Sequence, residues 1–561
     1  MSSNWKAVAA RKRAETLRKI PQAWVLARDV LQEARLRRDI TGTFISSLLS
    51  WEERLITDLD SVSLALQISH GVYTALQVTS AFCKRAAFAH QLNNCLHEIF
   101  FEDARQRAVE LDEYFETTGN TIGPLHGVPI SLKDQFHVKN VETTMGYAGW
   151  VDTFEGQKDT SQEFKIESQL VTELRSLGAI LYCKTSLPQA LLVGETVNNL
   201  IGTTMNPVNQ KLSCGGSSGG EGALQALGGS SLGVGTDIGG SVRIPAAFCG
   251  TYSIKPSFGR FSYRRVANSS PGQTIMPSAI GFMATSVLSL KLIMTSLLST
   301  KPWLRDPDVV DMPWRNIAEL EVRNTSLCFA VFTNDEKVTP HPPVIRAIKM
   351  VVDAVKKAGH KVIQWEPPSH FEACDIHQSF IRADGGADLW KQLGLLHEPL
   401  IHQLAELFGT GPVEPTPLLE YQANSLKRKD YSARYMEYWN STAEKTGTGR
   451  AVDAVILPVA PHAAVISGKF YHYGYSEIVN LLDYTSVAIP VTRADKTLDP
   501  FDSNYKYMNS VDHQNWADYD PEIYDGAPAG VQLMGRRFDE ERMISVAGIV
   551  IDALSYTHLE H

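Results

Sequence analysis

The feature that most constrains the fold of this chain is a glycine-rich segment between Cys214 and Pro256. Its glycines and serines form two clusters, at residues 215–222 and 233–241. Apolar side chains such as Leu232 stand between and after the clusters, a pattern typical of a folded core and not of a flexible linker. Glycine occupies an ordered core where the backbone turns tightly or approaches another group closely. The segment brings serine hydroxyls and backbone N–H groups together, and these are the components of an acyl-transfer site.

Length, composition and charge narrow the class of protein. The chain has 561 residues, of which 43% are hydrophobic and 20% charged, values typical of a soluble globular enzyme. The formal net charge of −9 argues against a general nucleic-acid-binding role, which usually requires a basic surface. No apolar run approaches the roughly 20 residues of a membrane-spanning helix, and the N-terminus lacks the apolar core of a secretory signal. We therefore expect a cytoplasmic protein with no nucleic-acid partner and no integral membrane segment.

Cysteine usage and the absence of ligand motifs argue against disulfides and metals. The seven cysteines are scattered, odd in number and without a C-x-x-C pair, which favours reduced thiols. The sequence has no H-E-x-x-H motif or comparable cluster of His, Cys and carboxylate residues, so we expect no metal site. Residues 559–561, Leu-Glu-His, are interpreted as the remnant of an expression tag.

Alternating helix and strand patterns predict an α/β architecture in which helices cover a mostly buried sheet. Residues 170–177 form an apolar helix face that ends at Gly178, and 179–183 follow as a short apolar strand. The same order recurs at 344–357 and 361–365.

The C-terminal part of the chain continues this pattern. Residues 451–457, 486–491 and 530–534 are predicted to be buried strands, and 540–554 a closing helix. Residues 494–526 are polar and irregular, which predicts a long surface loop.

These elements suggest a domain organisation. We expect a helical N-terminal arm over residues 1–60 and one domain over 61–558. Within that domain, the catalytic core is predicted at about 120–265, a helix-rich covering region at about 300–450, and the C-terminal core strands at 451–550.

The basic N-terminal arm carries a helical pattern over residues 23–38, with Trp24, Leu31 and Ala34 among its apolar positions. A helix lying on a membrane surface is one interpretation. Because the apolar stripe is thin, an outer helix packed on the domain or on a second subunit is the favoured alternative.

Several glycine-rich motifs fit the central segment poorly. A phosphate-binding loop needs a lysine after its glycines, and none follows here. A dinucleotide fingerprint needs G-x-G-x-x-G, but the stretch from Gly233 to Gly239 contains one residue too many. The G-x-S-x-G elbow of α/β-hydrolases is matched by 215–219 and by 216–220. An elbow serine follows a buried strand, however, and 209–213 is a poor strand, so the elbow is the weaker alternative.

Two stretches, GGSSGGEGAL and GVGTDIGGSVRIPAAFCG, together resemble the signature segment of the amidase signature family of serine hydrolases. Upstream, the residues from Gly123 to Asp134 resemble the lysine-bearing strand of that family. Further stretches resemble fungal acetamidase-type amidases: AFCKRAA (81–87), TMGY (144–147), ETVNN (195–199), PHPP (340–343) and NLLDYTSVAIPVT (480–492). Two departures from the family pattern are Ser253, where glycine is common, and Gly194, where a bulkier residue is expected.

The resemblance implies a fold and a general activity. The fold is α/β, with a large twisted mixed β-sheet core covered by helices on both faces. The activity is hydrolysis of carboxylic amides to an acid and ammonia or an amine, through an acyl-enzyme and with no cofactor. The substrate is a small-molecule amide, and a homodimer is an open possibility.

The resemblance also implies a Ser–cis-Ser–Lys triad, which falls on Ser241, Ser217 and Lys133. Ser241 is the expected nucleophile, and a serine hydroxyl is weak until a base removes its proton. Lys133 can accept that proton only when neutral, so burial must lower its pKa from the normal ~10.4. Ser217 can relay the proton because its hydroxyl both donates and accepts. The Gly216–Ser217 peptide is expected to be cis, as in the family.

Backbone N–H groups of the second glycine cluster complete the implied site. The oxyanion hole of the family falls on four N–H groups, those of Ile238, Gly239, Gly240 and Ser241. Asp237 and Arg243 flank this loop and are expected to pair behind it, while Ser218 supports the cis turn.

Two histidines offer an alternative base. His137 lies near Lys133 in sequence, and His472 lies in an aromatic cluster, Tyr-His-Tyr-Gly-Tyr. Either could suggest a Ser–His pair, but the signature segment favours the lysine. The aromatic cluster is interpreted as a wall, of the core or of the acyl pocket.

The substrate and two rival functions stay open. Small aliphatic amides, long acyl amides of the fatty-acid-amide-hydrolase kind and amides of secondary metabolism all suit the same chemistry. The rivals are the glutaminase subunit of a tRNA-dependent amidotransferase and a non-catalytic binding protein on the same fold. Intact Lys133, Ser217 and Ser241 argue against the second rival.

Overall fold

One eleven-stranded mixed β-sheet forms the centre of the molecule in the computed structural model, which describes residues 4–323 and 325–558. The proposed tag remnant, 559–561, lies outside the described residues. The strands of the described residues are β1 (Leu96–Ile99), β2 (Pro129–Lys133), β3 (Ile180–Thr185), β4 (Val197–Asn198), β5 (Gly202–Thr203), β6 (Leu232–Asp237), β7 (Tyr252–Lys255), β8 (Ala279–Ala284), β9 (Cys328–Val331), β10 (Lys361–Gln364), β11 (Ala454–Leu457), β12 (Ser486–Arg493) and β13 (Pro528–Met534). Their order in the large sheet is β1-β3-β2-β6-β8-β7-β12-β13-β11-β9-β10, and β4 pairs only with β5.

Helices surround the sheet. They are α1 (Trp5–Arg18), α2 (Arg28–Leu36), α3 (Thr43–Ser46), α4 (Trp51–Thr57), α5 (Ser61–Ser69), α6 (Ala75–Asn93), α7 (Phe101–Thr118), α8 (Gln169–Ser176), α9 (Gly219–Ala226), α10 (Arg243–Cys249), α11 (Val287–Ser299), α12 (Asn316–Arg323), α13 (Pro342–Lys357), α14 (His370–Ile381), α15 (Ala387–Gly394), α16 (His402–Phe408), α17 (Leu418–Ser441), α18 (Ala443–Thr446), α19 (Gly474–Leu481), α20 (Ser510–Ala517), α21 (Pro521–Tyr524) and α22 (Glu540–His558). Four short 3₁₀ helices span Gln22–Trp24, Ala148–Trp150, Gln189–Leu191 and Pro302–Leu304.

Both faces of the sheet are covered, as strand β8 illustrates. Successive strand residues point to opposite faces. Phe282 packs in a core cluster with α11, α13 and α22, whereas the next residue, Met283, packs with Ile244 and Phe248 of α10. The predicted α/β architecture, a large mixed sheet between helical layers, is therefore confirmed.

The middle of the sheet holds the second glycine cluster. Parallel pairing of β2 with β6 places Ser131 opposite Gly233 and Leu132 opposite Val234. Helix α9 lies so close to β6 that a Cβ on Gly233 would meet Glu221 Oε2 at 1.9 Å. Glycine in this strand therefore lets the helix that follows the first cluster pack directly on the strand of the second.

The N-terminal arm packs on the domain. The helix predicted over 23–38 is shorter: α2 spans Arg28–Leu36, Gln22–Trp24 form a 3₁₀ turn, and Val25 and Ala27 are extended. The Gln91 side chain explains this difference: its Oε1 accepts from the Leu26 N–H at 2.8 Å and its Nε2 donates to the Trp24 carbonyl at 2.8 Å. These tertiary hydrogen bonds use backbone groups that a helix would need. Ala34 of α2 is buried in a cluster with α6. This helix therefore packs on the domain, as the favoured alternative predicts.

The predicted surface loop over 494–526 contains two short helices, α20 and α21, so that prediction is partly wrong. The Asn509 side chain caps α20 by accepting from the N–H groups of Val511 and Asp512, at 3.0 and 3.1 Å. Trp516 of α20 stacks on Tyr505 with ring centroids 4.0 Å apart. Capping and one aromatic contact stabilise helix in a segment whose polar composition suggested none.

Two other expectations concern the cysteines and membrane-spanning helices. All seven cysteines are free thiols. Across residues 4–323 and 325–558, no helix has both the length and the apolar character needed to cross a membrane.

Candidate active site

Lys133 is the last residue of β2 and is fully buried. Strand alternation sends Ile130 and Leu132 into the core cluster on one face of the sheet. The Lys133 ammonium donates to Ser217 Oγ at 2.7 Å and to Thr236 Oγ1 at 3.0 Å. The strand thus places one amine beside two hydroxyl groups, and no carboxylate of the described residues is in hydrogen-bond contact with it.

The surroundings of Lys133 favour its neutral form. Burial lowers the pKa of Lys133 to about 7, although the carboxylates of Asp237 and Glu221 oppose this shift. An amine with such a pKa is about half neutral at pH 7, so a substantial fraction can accept a proton there.

Glu221 is a buried carboxyl group on α9 near this lysine. Its Oε2 accepts from Ser131 Oγ at 2.6 Å, and its Oε1 accepts from Thr185 Oγ1 at 2.9 Å. Burial raises the pKa of Glu221 to about 7, whereas the two hydroxyl groups and Lys133 act in the opposite direction. The ionisation of this group therefore changes the charge next to Lys133 in the neutral pH range.

Ser217 stands two residues before the start of α9, and its peptide bond with Gly216 is cis. The side chain is buried, and its Oγ accepts from Lys133. The next residue, Ser218, joins the two glycine clusters because its backbone N–H donates to the carbonyl of Ser241 at 3.0 Å.

Ser241 lies in the turn between β6 and α10 and is 8% exposed. The preceding residue, Gly240, has φ +122°, a conformation that L side chains rarely adopt. Ser241 borders a cavity of about 460 Å³ that is also lined by Gly216, Ile238 and Gly239. The backbone of both glycine clusters therefore meets at one cavity.

A buried ion pair supports the turn from behind. Arg243 donates to both carboxylate oxygens of Asp237, at 2.9 and 3.1 Å, and both side chains are fully buried. The carboxylate also accepts from the N–H groups of Gly240 at 2.9 Å and Val242 at 3.1 Å. Although burial alone would raise it, the pKa of Asp237 is held well below its usual range by Arg243 and by hydrogen bonds including one from Asn480.

The peptide groups of the turn are held individually. The Ile238 carbonyl accepts from His377 Nε2 at 2.8 Å, and the Gly239 carbonyl accepts from Ser476 Oγ at 2.6 Å. The Gly240 N–H is occupied by Asp237. The N–H groups of Ile238, Gly239 and Ser241 have no hydrogen-bond acceptor among the described residues.

Apolar and aromatic side chains form most of the cavity wall. Leu191, Leu192 and Ile381 line it, together with the aromatic pair Phe470 and Tyr473, whose ring centroids are 4.4 Å apart. Such an enclosure suits the apolar part of a small organic ligand.

Gly194 makes room for the aromatic pair of this wall. The backbone N–H of Gly194 donates to the Tyr473 hydroxyl at 2.9 Å, and a Cβ at this position would lie 3.1 Å from both Phe470 and Tyr473. The departure from the family pattern at this position therefore leaves space that the aromatic rings use.

The two histidines considered as bases lie in different places. His137 Nε2 is 3.0 Å from Glu155 Oε1, and its ring stacks on Phe154. His472 lines the cavity, but its Nε2 is hydrogen-bonded to Asp335. The part of the chain that the structure describes contains no group of three or more His, Cys, Asp and Glu side chains placed to hold a metal ion.

Sequence reasoning missed several residues of the site. Thr236 bonds Lys133 and in turn donates to Gln135 Oε1 at 2.6 Å, and both could have been suspected because they adjoin predicted site residues. His377 and Glu477 reach the turn from α14 and α19. No local motif marks those two, because their relation to the turn arises only in the folded chain.

Comparison with known proteins agrees with this architecture. The sequence profile of the family described as Amidase matches residues 77–544. The chain is 42% identical over 553 residues to an acetamidase of Aspergillus oryzae and 41% identical over 551 residues to an acetamidase of Emericella nidulans, with 98% of each chain covered in both cases. A solved structure of a fatty acid amide hydrolase superposes with a TM-score of 0.90 at 31% identity, covering 99% of this chain and 95% of that one.

The chain therefore belongs to the amidase family, the family of amidase signature enzymes. Its full-length likeness to the two fungal acetamidases supports, more specifically, an enzyme that hydrolyses amide bonds.

Proposed function

We propose that the enzyme hydrolyses carboxylic amides through an acyl-enzyme on Ser241, with Ser217 as the proton relay and Lys133 as the base. The observation that carries this proposal is the 2.7 Å contact between Lys133 Nζ and Ser217 Oγ, buried beside the cavity that Ser241 lines. A neutral lysine at this contact accepts a hydrogen bond from the serine instead of donating one.

In the acylation step, the Ser241 hydroxyl passes its proton to Ser217, and Ser217 passes its own proton to Lys133. Ser241 Oγ forms a bond to the amide carbon, and the carbonyl electron pair moves to oxygen. When this tetrahedral intermediate collapses, the carbon–nitrogen bond breaks and Lys133 returns a proton through Ser217 to the leaving amine. Water then repeats the sequence: it attacks the ester carbon, its proton moves to Lys133, and Ser241 is released with a proton restored.

The oxyanion of each tetrahedral intermediate is placed against the turn before Ser241. Of the four N–H groups expected there, that of Gly240 is already bound to Asp237. Ile238, Gly239 and Ser241 therefore supply the donors of the proposed oxyanion hole. Loss of one such donor typically costs about 3–4 kcal/mol of transition-state stabilisation.

The volume and lining of the cavity favour substrates larger than acetamide. Its volume of about 460 Å³ and its apolar wall accommodate an aryl or branched acyl group next to Ser241. A panel of amides from acetamide through aryl to long-chain amides, followed by release of ammonia or amine, tests this. A preference for acetamide over every larger amide would contradict it.

Two measurements test the nucleophile. Ser241→Ala should abolish amide hydrolysis, whereas Ser555→Ala, at an exposed position of α22, should leave it unchanged. A fluorophosphonate adduct, located by mass spectrometry, should lie on Ser241 and not on Ser217. Residual hydrolysis above a trace in Ser241→Ala, or an adduct on another serine, would refute the assignment.

A further inference from the structure

His377 lies against the turn that carries the proposed oxyanion hole, although 139 residues separate it from Ile238. Its Nε2 donates to the Ile238 carbonyl at 2.8 Å, and its Nδ1 lies 3.4 Å from Glu477 Oε1. Both side chains are buried and border the same cavity as Ser241. The proposed proton transfers use neither of them.

The bond from His377 determines the direction of a backbone donor. In a trans peptide the C=O and the N–H point in opposite directions. Because His377 holds the Ile238 carbonyl, the N–H of Gly239 in the same peptide points away from His377. A Cβ on Gly239 would lie 3.6 Å from Glu477 and 3.7 Å from His377, so both side chains stand beside this residue.

Glu477 in turn holds the imidazole. It accepts a hydrogen bond from Gln378, the residue after His377 on α14, so its carboxylate is tied to the same helix. The residue before Glu477, Ser476, binds the Gly239 carbonyl at 2.6 Å. The start of α19 and the middle of α14 thus hold two consecutive peptides of the turn.

We propose that His377, oriented by Glu477, is a positioning residue that directs the Gly239 N–H into the oxyanion hole and so increases kcat. This inference rests on the proposed function, since it requires an oxyanion next to Ser241. The interaction matters most when charge develops on the substrate oxygen, so its loss should lower kcat more than it changes KM.

The charged groups around His377 are few. Glu477 faces His377 from α19, and Asp237 faces it from the end of β6. The thiol of Cys374, which lies on α14 with His377, is beside Glu477. From α17, Arg434 and Tyr435 reach only Glu372 and His370, in the first turn of α14.

Together these groups favour the protonated form of His377. Burial alone would lower the pKa of His377, but Glu477 outweighs it, and the pKa is raised above the usual value. The imidazolium donates from Nε2 to the Ile238 carbonyl at 2.8 Å, whereas Nδ1 lies 3.4 Å from Glu477 Oε1 without a hydrogen bond. As pH rises through this pKa, the Nδ1 proton leaves and the charge-assisted bond to the Ile238 carbonyl becomes a weaker neutral one. This weakening predicts an alkaline decline in kcat.

Variants of the pair separate positioning from simple packing. His377→Leu should lower kcat by about tenfold to a hundredfold, with KM within about twofold, because one oxyanion donor is misdirected. His377→Gln, which can still donate to Ile238, should recover most of kcat and lack the alkaline decline. Glu477→Gln should shift that decline to lower pH, because the group that raises the pKa is gone.

His370→Leu is the matched control. His370 is another buried histidine of α14, 3.2 Å from the Tyr435 hydroxyl and without contact to the turn. The melting temperature of His370→Leu should fall by about as much as that of His377→Leu, while its kcat stays at the wild-type value. An equal loss of kcat in both variants would overturn the proposal, as would wild-type kcat in His377→Leu.

The rate of fluorophosphonate labelling at Ser241 distinguishes this inference from the proposed function. The expected result is labelling of Ser241 in every variant, slowed in His377→Leu in parallel with kcat. Wild-type labelling and wild-type kcat in His377→Leu would refute the inference alone. Labelling of another serine would refute the proposed function together with it. If His377→Leu does not fold, the pH profiles of His377→Gln and Glu477→Gln test the inference instead. An alkaline decline in kcat that is unchanged from wild type in both variants would refute it.

Discussion

Lys133 Nζ lies 2.7 Å from Ser217 Oγ, although 84 residues separate the two in the chain. The lysine comes from the end of a central strand, and the serine precedes a helix that packs on the neighbouring strand. Every proposed proton transfer passes through this contact, so it is the natural place to test the site.

Replacing Lys133 by methionine should remove the base while keeping an unbranched side chain of similar length. We expect kcat for amide hydrolysis to fall by about 10²–10⁴, the range typical of a lost general base. The rate of ammonia release at saturating substrate measures kcat. Lys255→Met is the matched control, because Lys255 is also buried but binds Asp483, 3.2 Å away. Activity retained in Lys133→Met would contradict the assignment of the base.

The pH dependence should report the same lysine. Because the base acts only when neutral and the pKa of Lys133 is about 7, kcat/KM should rise with pH through about 7. The nearby Glu221 carboxylate raises the pKa of Lys133, so Glu221→Gln should shift this acid limb to lower pH. Glu173→Gln, at a buried carboxyl on α8 paired with Arg305, should leave the limb in place. A limb that does not move in Glu221→Gln would show that another group titrates.

Gly194→Ala should narrow the cavity selectively. The new Cβ would lie 3.1 Å from Phe470 and Tyr473, tighter than nine in ten such contacts, so the rings must shift by a few tenths of an ångström and the cavity wall changes shape. We expect KM for aryl amides to rise several-fold, with little change for acetamide. Gly548→Ala on α22, where a Cβ meets open space, is the control. Equal changes in KM for small and large amides would argue against Gly194 as a determinant of size.

Lys12→Met should destabilise the whole fold. Lys12 on α1 is buried between Glu98 and Glu142 and hydrogen-bonds to both. Removal of the cation leaves Glu142 without its ion-pair partner and Glu98 with only Lys19, at 3.1 Å, which should cost about 3 kcal/mol of unfolding free energy, the lower end for a broken buried ion pair. Urea denaturation measures this, and Lys6→Met, at an exposed position of the same helix, is the control. Equal stability of the two variants would mean that α1 does not contribute through this cluster.

Parts of this structure follow from sequence because they are local. The helix predicted at 344–357 forms over Pro342–Lys357, and the strand at 530–534 is part of Pro528–Met534. Apolar periodicity and glycine helix ends are sufficient for such elements. The motif carrying Lys133 and the one carrying Ser217 are predicted to meet, and they are in contact.

Other parts depend on contacts that no local pattern encodes. Gln91 keeps the backbone at Trp24 and Leu26 out of an α-helix through two hydrogen bonds from a distant part of the chain. His377 acquires its relation to Ile238 only when α14 lies over the sheet. Tertiary hydrogen bonds outweigh local propensity in each case.

The parallel pairing of Ser131 with Gly233 has a consequence for the newly made chain. Such pairing joins distant segments and forms slowly, after local helices are in place. Until β2 and β6 meet, Lys133 is hydrated and protonated, and Ser217 has no base beside it. The nascent polypeptide therefore carries only ordinary serines, and reactivity toward amides arises only once these two strands have paired.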